Sequence, residues 1–188
     1  MAPLPRSFYD RDVVLVAREL LGMVLMRRSP RGLTSGLIVE TESYLADGDA
    51  ACHASRGKTR SNRAMFGPPG RAYVYPIHSR YCLNAVTQPK GTASAVLIRA
   101  VEPLEGIELM QARRNRQKPR ELTRGPGRLC EAFDIDRRLD HCDLTSPSRL
   151  WICRHPDGNL SDAEIETSKR IGVTSDHELP LRFLIRGN

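Results

Sequence analysis

Two acidic residues and a tyrosine alternate along residues 38–44, a segment that reads IVETESY. Side chains two residues apart on a β-strand point to the same face of the sheet. If the segment is a strand, one face therefore carries Ile38, Glu40, Glu42 and Tyr44. A carboxylate beside an aromatic ring is suited to act as a general base or nucleophile on a bound ring system. The ordinary alternative is an exposed edge strand with one polar face.

Two hydrolytic reactions fit such a strand. A pair of carboxylates flanking the scissile bond is typical of sugar-polymer hydrolases. A bond between a purine and its sugar needs less, because a methylated purine is already cationic and leaves C1′ with little acid assistance. One carboxylate that activates water is then sufficient, with aromatic rings stacked on the base and a basic rim holding the phosphates. The strand alone leaves both reactions open.

Basic residues are concentrated in two stretches. Residues 56–63 (RGKTRSNR) contain Arg56, Lys58, Arg60 and Arg63 and no acidic residue. The second stretch contains Arg113, Arg114, Arg116, Lys118, Arg120 and Arg124. Both stretches could be ordinary solvated surface, but Arg, Lys, Ser, Thr and Asn are the usual ligands of nucleic-acid phosphates. The acid-free composition of 56–63 favours phosphate contact there.

The spacing of cysteines and histidines indicates neither a metal site nor a disulfide framework. Five cysteines (52, 82, 130, 142, 153) and five histidines (53, 78, 141, 155, 177) include no CxxC pair and no paired histidine ligands. The chain also has no GxGxxG, P-loop, GxSxG or HExxH motif. We therefore expect no metal and no cofactor.

Composition indicates a single folded domain spanning residues 1–188. The chain has 188 residues, 40% of them hydrophobic, and a net charge of +7. This length and hydrophobic content are enough for an ordered core without disulfide bonds or bound metal ions. No segment has the length and apolarity of a membrane helix or of a signal peptide, so we expect a soluble cytoplasmic protein. The positive charge favours a polyanionic partner.

The elements that must position these residues can be predicted from hydrophobic periodicity. Apolar residues at helical spacing predict a helix over 13–21, with Asp10 as its N-cap and Gly22 just past its end. A second helix is predicted to begin at Pro103 and a short third one to follow the Gly125-Pro126-Gly127 break. Strands are predicted at 23–28, 36–45, 72–75, 81–87, 95–101, 150–153 and 181–186, with a loop over 46–71. Because the strands come in runs, we expect an α+β fold with a largely antiparallel sheet.

Nine collinear blocks resemble the alkyladenine/3-methyladenine DNA glycosylase family, over about Phe8 to Gly187. The blocks are 16–22 (VARELLG), 38–44 (IVETESY), 62–66 (NRAMF), 73–75 (YVY), 81–84 (YCLN), 96–106 (VLIRAVEPLEG), 125–130 (GPGRLC), 170–173 (RIGV) and 180–183 (PLRF). The resemblance implies a single domain with a curved antiparallel sheet, flanking helices and a β-hairpin that enters the minor groove. It also implies a monofunctional N-glycosylase that flips alkylated or deaminated purines out of duplex DNA and leaves an abasic site.

The resemblance assigns the hydrolytic roles to three positions. Glu42 matches the general base that deprotonates the attacking water. Arg99 matches the arginine that helps to position this water, and Ile171 matches a residue whose backbone carbonyl also contacts it. Glu40 has no matching role and is expected to pair with a nearby arginine.

The resemblance also assigns the contacts to the flipped base. Tyr44 matches the residue stacked on one side of the base, and His53 and Tyr75 match those on the other side. His53 also matches a hydrogen-bonding contact to the base or its sugar-phosphate. Asn84 matches the residue that clashes with the 2-amino group of guanine, and the Ala51 amide is expected to face the base edge.

One departure from the family lies in the hairpin at 75–81. The hairpin is one residue shorter than the family pattern, and His78 stands where the family has the tyrosine that fills the gap left by the flipped nucleotide. Pro76 lacks an N–H, so its strand must lie at a sheet edge or be irregular.

Two alternative functions remain at this point. The changed hairpin is compatible with a non-catalytic nucleic-acid-binding protein on the same scaffold. A carbohydrate hydrolase using Glu40 and Glu42 is disfavoured by the basic stretches, because neutral sugars need no cationic rim. The partner expected from the whole sequence is duplex DNA with damaged purines, bound by a monomer.

Overall fold

A computed structural model describes residues 2–156 and 160–188, which form eight β-strands and five α-helices. The strands are β1 (Val24–Ser29), β2 (Gly32–Tyr44), β3 (Ala72–Ile77), β4 (Arg80–Thr87), β5 (Ser94–Glu105), β6 (Leu150–Cys153), β7 (Ile165–Ser168) and β8 (Arg182–Ile185). The α-helices are α1 (Arg6–Tyr9), α2 (Val13–Glu19), α3 (Ile107–Arg114), α4 (Pro119–Leu122) and α5 (Pro126–Ala132). Short 3-10 helices cover Arg63–Phe66, Arg137–Leu139 and Asp162–Glu164. The predicted α+β class is confirmed.

The strands form one curled sheet in which every pairing between the described strands is antiparallel. The main order is β3-β4-β5-β2-β1-β6, with β8 paired to β2 and β7 paired to β8. Strand β2 is long enough to pair with β1 along its first half and with β8 at Glu40–Glu42, while β5 runs along its other side. The second half of β2 is therefore flanked by strands on both sides.

Helix α2 packs on β2 through an apolar face. Val16, Ala17 and Leu20 are fully buried, and the Thr41 hydroxyl donates to the Ala17 carbonyl at 2.9 Å. The N-cap is Asp12, whose carboxylate accepts the amides of Val14 and Leu15. The prediction of Asp10 as N-cap was wrong, because Asp10 ends a short preceding helix, α1, that the apolar pattern did not reveal.

Pro103 does not begin a helix, so this prediction was also wrong. β5 continues through Pro103, which pairs with Gly36, and ends at Glu105. Helix α3 starts at Ile107 after Gly106, which has a φ of 70° and a backbone so close to the Leu33 carbonyl that a Cβ would lie 2.4 Å from it. Pairing with the extended β2 outweighs the local preference of proline for a first helical turn.

The alternation of faces along β2 is interrupted where β2 meets β5. The ladder is irregular between Ile38 and Thr41, and Val39 and Arg99 have no ladder partner. Ile38 consequently packs in the main core, whereas Leu37 packs on the opposite face against Val24 and Trp151. The expectation that Ile38 shares a face with Glu40 and Glu42 was wrong, since the irregularity shifts the alternation by one residue.

None of the described helices is long and apolar enough to span a membrane.

Candidate active site

Glu42 is buried near the end of β2, between β5 and β8. Its side chain has 0% exposure. Oε1 accepts the Ile171 amide N–H at 2.8 Å and lies 3.1 Å from Nη1 of Arg99. Oε2 accepts the Tyr44 hydroxyl at 3.0 Å. The three donors thus satisfy both oxygens of a carboxylate that is removed from solvent.

Arg99 joins the two carboxylates that the sequence singles out. Its Nε donates to Oε1 of Glu40 at 2.9 Å, while Nη1 faces Glu42. Glu40 also accepts Nε of Arg182 at 2.5 Å, so two arginines share it. The expected pairing of Glu40 with an arginine is confirmed. Glu40 is therefore tied to two arginines, whereas Glu42 shares only Arg99 with it and is bonded to the pocket residue Tyr44.

An aromatic pocket opens beside Glu42. Its lining consists of Tyr44, His53, Met65, Tyr73, Tyr75, Asn84 and Ala95. Tyr73 and Tyr75 are stacked at 5.3 Å between ring centroids, and His53 meets Tyr75 edge-on at 4.4 Å. Four residues predicted to contact a flipped base therefore lie around one cavity of flat, apolar walls.

Tyr73 is a pocket residue that the sequence analysis missed. Its hydroxyl lies 2.9 Å from Nδ1 of His53 and so fixes the imidazole ring. Tyr73 and Tyr75 are two residues apart on β3, and this period-2 repeat of a large aromatic was the available signal. Met65, from the loop over 46–71, was also missed and had no comparable signal.

The titratable groups of the pocket are held in their neutral forms. Burial raises the pKa of Tyr44, and the negative charge of Glu42 raises it further. Burial likewise raises the pKa values of Tyr73 and Tyr75 and lowers the pKa of His53. The phenols are therefore hydrogen-bond donors near neutral pH, and the imidazole is uncharged there.

Asn84 is a buried residue of the pocket lining and is held in place by a hydrogen bond. It is buried on β4, directly opposite Tyr73 in the ladder, and its Nδ2 donates to the Tyr73 carbonyl at 3.1 Å. This bond orients the amide group, so Asn84 presents a rigid polar shape to whatever enters the pocket.

The backbone amides of Ala51 and Ile171 both donate to carboxylates. The Ala51 N–H donates to Asp49 Oδ1 at 3.1 Å, so it already has a partner within the loop. The Ile171 N–H donates to Glu42, and the expected contact of its carbonyl with a water stays a prediction. The Ile171 side chain is 51% exposed beside the site.

The basic loop over 56–63 borders a cleft that adjoins the pocket. Arg56 lines this cleft, and His53, Tyr73 and Tyr75 line both cavities. The four basic residues of the loop are exposed, and none of them forms an ion pair with any residue that the structure describes. Their charge is therefore available to an external anion.

Asn62 holds this loop in shape. It is buried, its Nδ2 donates to the carbonyls of His53 and Gly57, and its Oδ1 accepts the Thr59 amide at 2.7 Å. These bonds tie the basic loop to the backbone of His53. Asn62 is therefore internal and is not part of the exposed basic surface.

The second basic stretch is partly structural. Arg113 donates to the Ala132 carbonyl and to Ser29, and Arg114 donates to the Leu122 carbonyl and to Glu131. The remaining basic residues of this stretch are exposed.

The hairpin of β3 and β4 protrudes at an edge of the sheet, and His78 lies at its tip. Pro76 pairs in register with Tyr81, so the expected edge position is confirmed. The turn has two residues, His78 and Ser79, and His78 adopts a φ of 53°. Ile77 beside it is 43% exposed.

No group of three or more His, Cys, Asp or Glu side chains is arranged to hold a metal ion within the described parts of the chain. The five cysteines are unpaired and buried.

Residues 7–188 match the family model of methylpurine-DNA glycosylase (MPG). The match covers almost the whole chain, including the strand of Glu42, the aromatic pocket and the hairpin. The chain therefore belongs to the methylpurine-DNA glycosylase family of DNA-repair enzymes.

Curated relatives in bacteria and archaea are similar over nearly their full length. A protein of Koribacter versatilis is 45% identical over 193 residues, covering 100% of this chain and 92% of the relative. One of Carboxydothermus hydrogenoformans is 45% identical, with coverages of 98% and 96%, and one of Methanocella arvoryzae is 47% identical, with coverages of 97% and 90%. Each of the three is named "Putative 3-methyladenine DNA glycosylase".

Proposed function

We propose that this protein flips an alkylated or deaminated purine out of duplex DNA and hydrolyses its bond to deoxyribose with water activated by Glu42. The observation that carries the proposal is a fully buried carboxylate held by three donors, one of which is the hydroxyl of Tyr44, a residue that lines the aromatic pocket. A protein that only bound DNA would gain nothing from a buried anion facing a polyanion.

For a methylated purine, which already carries a positive charge, the reaction needs one base and no strong acid, whereas a neutral deaminated purine also takes up a proton from solvent as it leaves. Water attacks C1′ and transfers a proton to Glu42, while the electrons of the N-glycosidic bond leave with the purine nitrogen. The transition state resembles an oxocarbenium ion, so the negative charge of Glu42 also stabilises it. Arg99, held between Glu40 and Glu42, limits the movement of the carboxylate and orients the water.

The flipped base is proposed to lie between Tyr44 on one side and His53 with Tyr75 on the other. Flat rings of this kind stack on any purine, and stacking is worth about 1–3 kcal/mol per base. Selection against normal guanine is assigned to Asn84, whose fixed amide crowds a 2-amino group. We leave the Ala51 amide out of the base contacts, because Asp49 already accepts its hydrogen.

We assign contact with the DNA backbone to the basic loop over 56–63, and filling of the gap left by the flipped nucleotide to His78 at the hairpin tip. The loop borders the cleft that adjoins the pocket, and His78 follows β3, the edge strand whose tyrosines line the pocket. Like other enzymes that act on bases within a duplex, the protein is proposed to extrude its target before the chemical step. We propose that it does so as a monomer, without metal or cofactor.

The proposed enzyme is monofunctional, because a strand-cleaving lyase step needs an amine nucleophile at C1′. No lysine is found among the residues that line the described pocket.

A gel assay tests the function. The protein is incubated with a labelled duplex that contains hypoxanthine or ethenoadenine, and half of each sample is then treated with alkali. Cleavage only after alkali supports base excision without lyase activity. No cleavage in either half contradicts the proposed glycosylase function, and trapping of a protein–DNA adduct by borohydride contradicts its monofunctional type.

A further inference from the structure

A buried ion pair lies behind the catalytic carboxylate, on residues to which the proposed mechanism gives no role. Asp49 and Arg170 form a two-pronged contact, with Nη1 to Oδ2 at 2.7 Å and Nη2 to Oδ1 at 2.8 Å, and both side chains have 0% exposure. The pair connects the loop that carries His53 to the loop that carries Ile171. Two segments distant in sequence are thereby fixed to each other at the site.

Asp49 is held rigidly on its own loop. Its Oδ2 also accepts the Leu45 amide at 3.0 Å and its Oδ1 the Ala51 amide at 3.1 Å. Burial acts to raise the pKa of Asp49, but the bonds from Arg170 and from these two amides outweigh it and keep the pKa below its ordinary value. The carboxylate is therefore a fixed anion rather than a titrating group near neutral pH.

Arg170 contacts the two residues that follow Glu42 on β2. Its Nη1 donates to the Ser43 carbonyl at 3.1 Å, and its guanidinium lies over the Tyr44 ring at 4.8 Å from the centroid. The next residue, Ile171, donates its amide to Glu42. Two of the three donors on Glu42, the Tyr44 hydroxyl and the Ile171 amide, are thus placed by Arg170.

Stability alone gives no reason for this arrangement. Removing two charges from water is costly, and a buried ion pair is often no more stable than apolar residues of similar volume. What the planar, two-pronged contact supplies is a fixed geometry, which an apolar contact would not impose.

We propose that Asp49 and Arg170 are the positioning residues of this active site. By fixing Tyr44 and the Ile171 amide against Glu42, the pair holds the base at the angle from which it activates water. The inference rests on the proposed glycosylase function and adds to it two residues that contact neither the base nor the water.

The test is the double variant Asp49→Asn/Arg170→Gln, which leaves no unpaired buried charge. Excision of hypoxanthine is measured in single turnover across a range of protein concentrations, with the active fraction titrated and thermal unfolding recorded. Displacement of a catalytic group by about 1 Å costs up to 100-fold in rate. We expect the rate constant at saturation to fall roughly 10- to 100-fold, while the half-saturating concentration stays within threefold of the parent's.

The Arg27–Asp134 pair supplies a control away from the site, because Arg27 is also buried, its Nη2 lies 3.4 Å from Oδ2 of the 40% exposed Asp134, and neither residue lines the pocket. Arg27→Gln/Asp134→Asn should keep the parent's rate constant. Arg170→Lys should show a reduced rate constant as well, since an ammonium cannot bond both carboxylate oxygens and lie flat on Tyr44.

A merely structural pair would lower the active fraction and leave the rate constant at saturation unchanged. A rate constant within twofold of the parent's, or a loss confined to the half-saturating concentration, overturns the inference. If the parent itself releases no base, the proposed function has failed instead, so the two failures are distinguishable.

Discussion

At the scale of single residues, the two glutamates of β2 have different surroundings. Glu40 is occupied by two arginines, whereas Glu42 is held by one arginine, one hydroxyl and one amide beside the aromatic pocket. Their separation of two positions on one strand suggested a catalytic pair, and their partners instead assign them different tasks.

The first prediction compares Glu42→Gln with Glu40→Gln. Loss of a general base typically costs 10²–10⁴-fold in rate, so Glu42→Gln should retain binding to a lesion duplex and lose excision by about that factor. Glu40→Gln should lose less, because it removes a partner of Arg99 and not the base. Single-turnover rates and gel-shift affinities for both variants give the answer. Equal losses would indicate a two-carboxylate mechanism.

A second prediction concerns His53, whose pKa is lowered by burial. A histidine with a lower pKa in the folded state binds fewer protons than in the unfolded chain, so its contribution to stability falls as pH drops through about 6.5. His53→Gln removes this dependence. Relative to the variant, the parent should lose thermal stability between pH 7.5 and pH 5.5. If the melting temperatures of the parent and of His53→Gln change equally between the two pH values, His53 does not titrate in this way.

At the scale of elements, the β3–β4 hairpin, which the sequence analysis expects to depart from the family pattern, has a regular ladder. The proline is tolerated because β3 is the edge strand, and the two-residue turn requires a positive φ at His78. Histidine takes up this conformation more readily than most side chains, although glycine does so without strain.

The third prediction separates the ring of His78 from the turn that carries it. His78→Gly should unfold at the same or a higher temperature, because glycine relieves the left-handed backbone. It should nevertheless bind lesion duplex more weakly, by roughly tenfold, since the aromatic that fills the gap is lost. His78→Tyr should bind the duplex more tightly than the parent.

Excision from single-stranded substrate is the control for this hairpin, because nothing has to be flipped there. It should be unchanged in both variants. Equal duplex affinities for parent, glycine and tyrosine forms would mean that His78 does not fill the gap, and Ile77 or Arg80 would be examined next.

At the scale of the whole molecule, the positions of the exposed basic residues say more about DNA binding than the net charge of +7 does. Each basic stretch presents four exposed cations, but the loop over 56–63 contains no acidic residue and borders the cleft that adjoins the pocket, whereas Lys118 of the other stretch pairs with Glu121. Electrostatic attraction to DNA should therefore be concentrated at the loop.

The fourth prediction uses two variants that each lose four positive charges. Neutral residues replace Arg56, Lys58, Arg60 and Arg63 in one variant and Arg116, Lys118, Arg120 and Arg124 in the other. Each phosphate contact contributes about 0.9 to the slope of log affinity against log salt, so the loop variant should lose about 3 to 4 units of slope. The second variant should keep most of the slope. Similar slopes for the two variants would indicate a diffuse charge effect rather than a binding loop.

Elements with a clear local period can be predicted from the amino-acid sequence. The helix over 13–21, the strands around Glu42, the hairpin at 75–81 and the acid-free loop could all be predicted, because amphipathic spacing and turn residues act within a few positions. The collinear blocks also brought Glu42, Arg99, Tyr44 and His53 into one hypothesis before any distance was known.

Features that depend on partners far away in the chain are set by tertiary pairing. β5 runs through Pro103 because β2 pairs with it, and β7 exists because β8 provides its hydrogen bonds. The irregular ladder at Val39 and Arg99 sets which face Ile38 takes, and the Asp49–Arg170 pair joins loops 121 residues apart in sequence. Local propensity carries no information about such pairings, since their energy comes from bonds that form only when the chain has closed on itself.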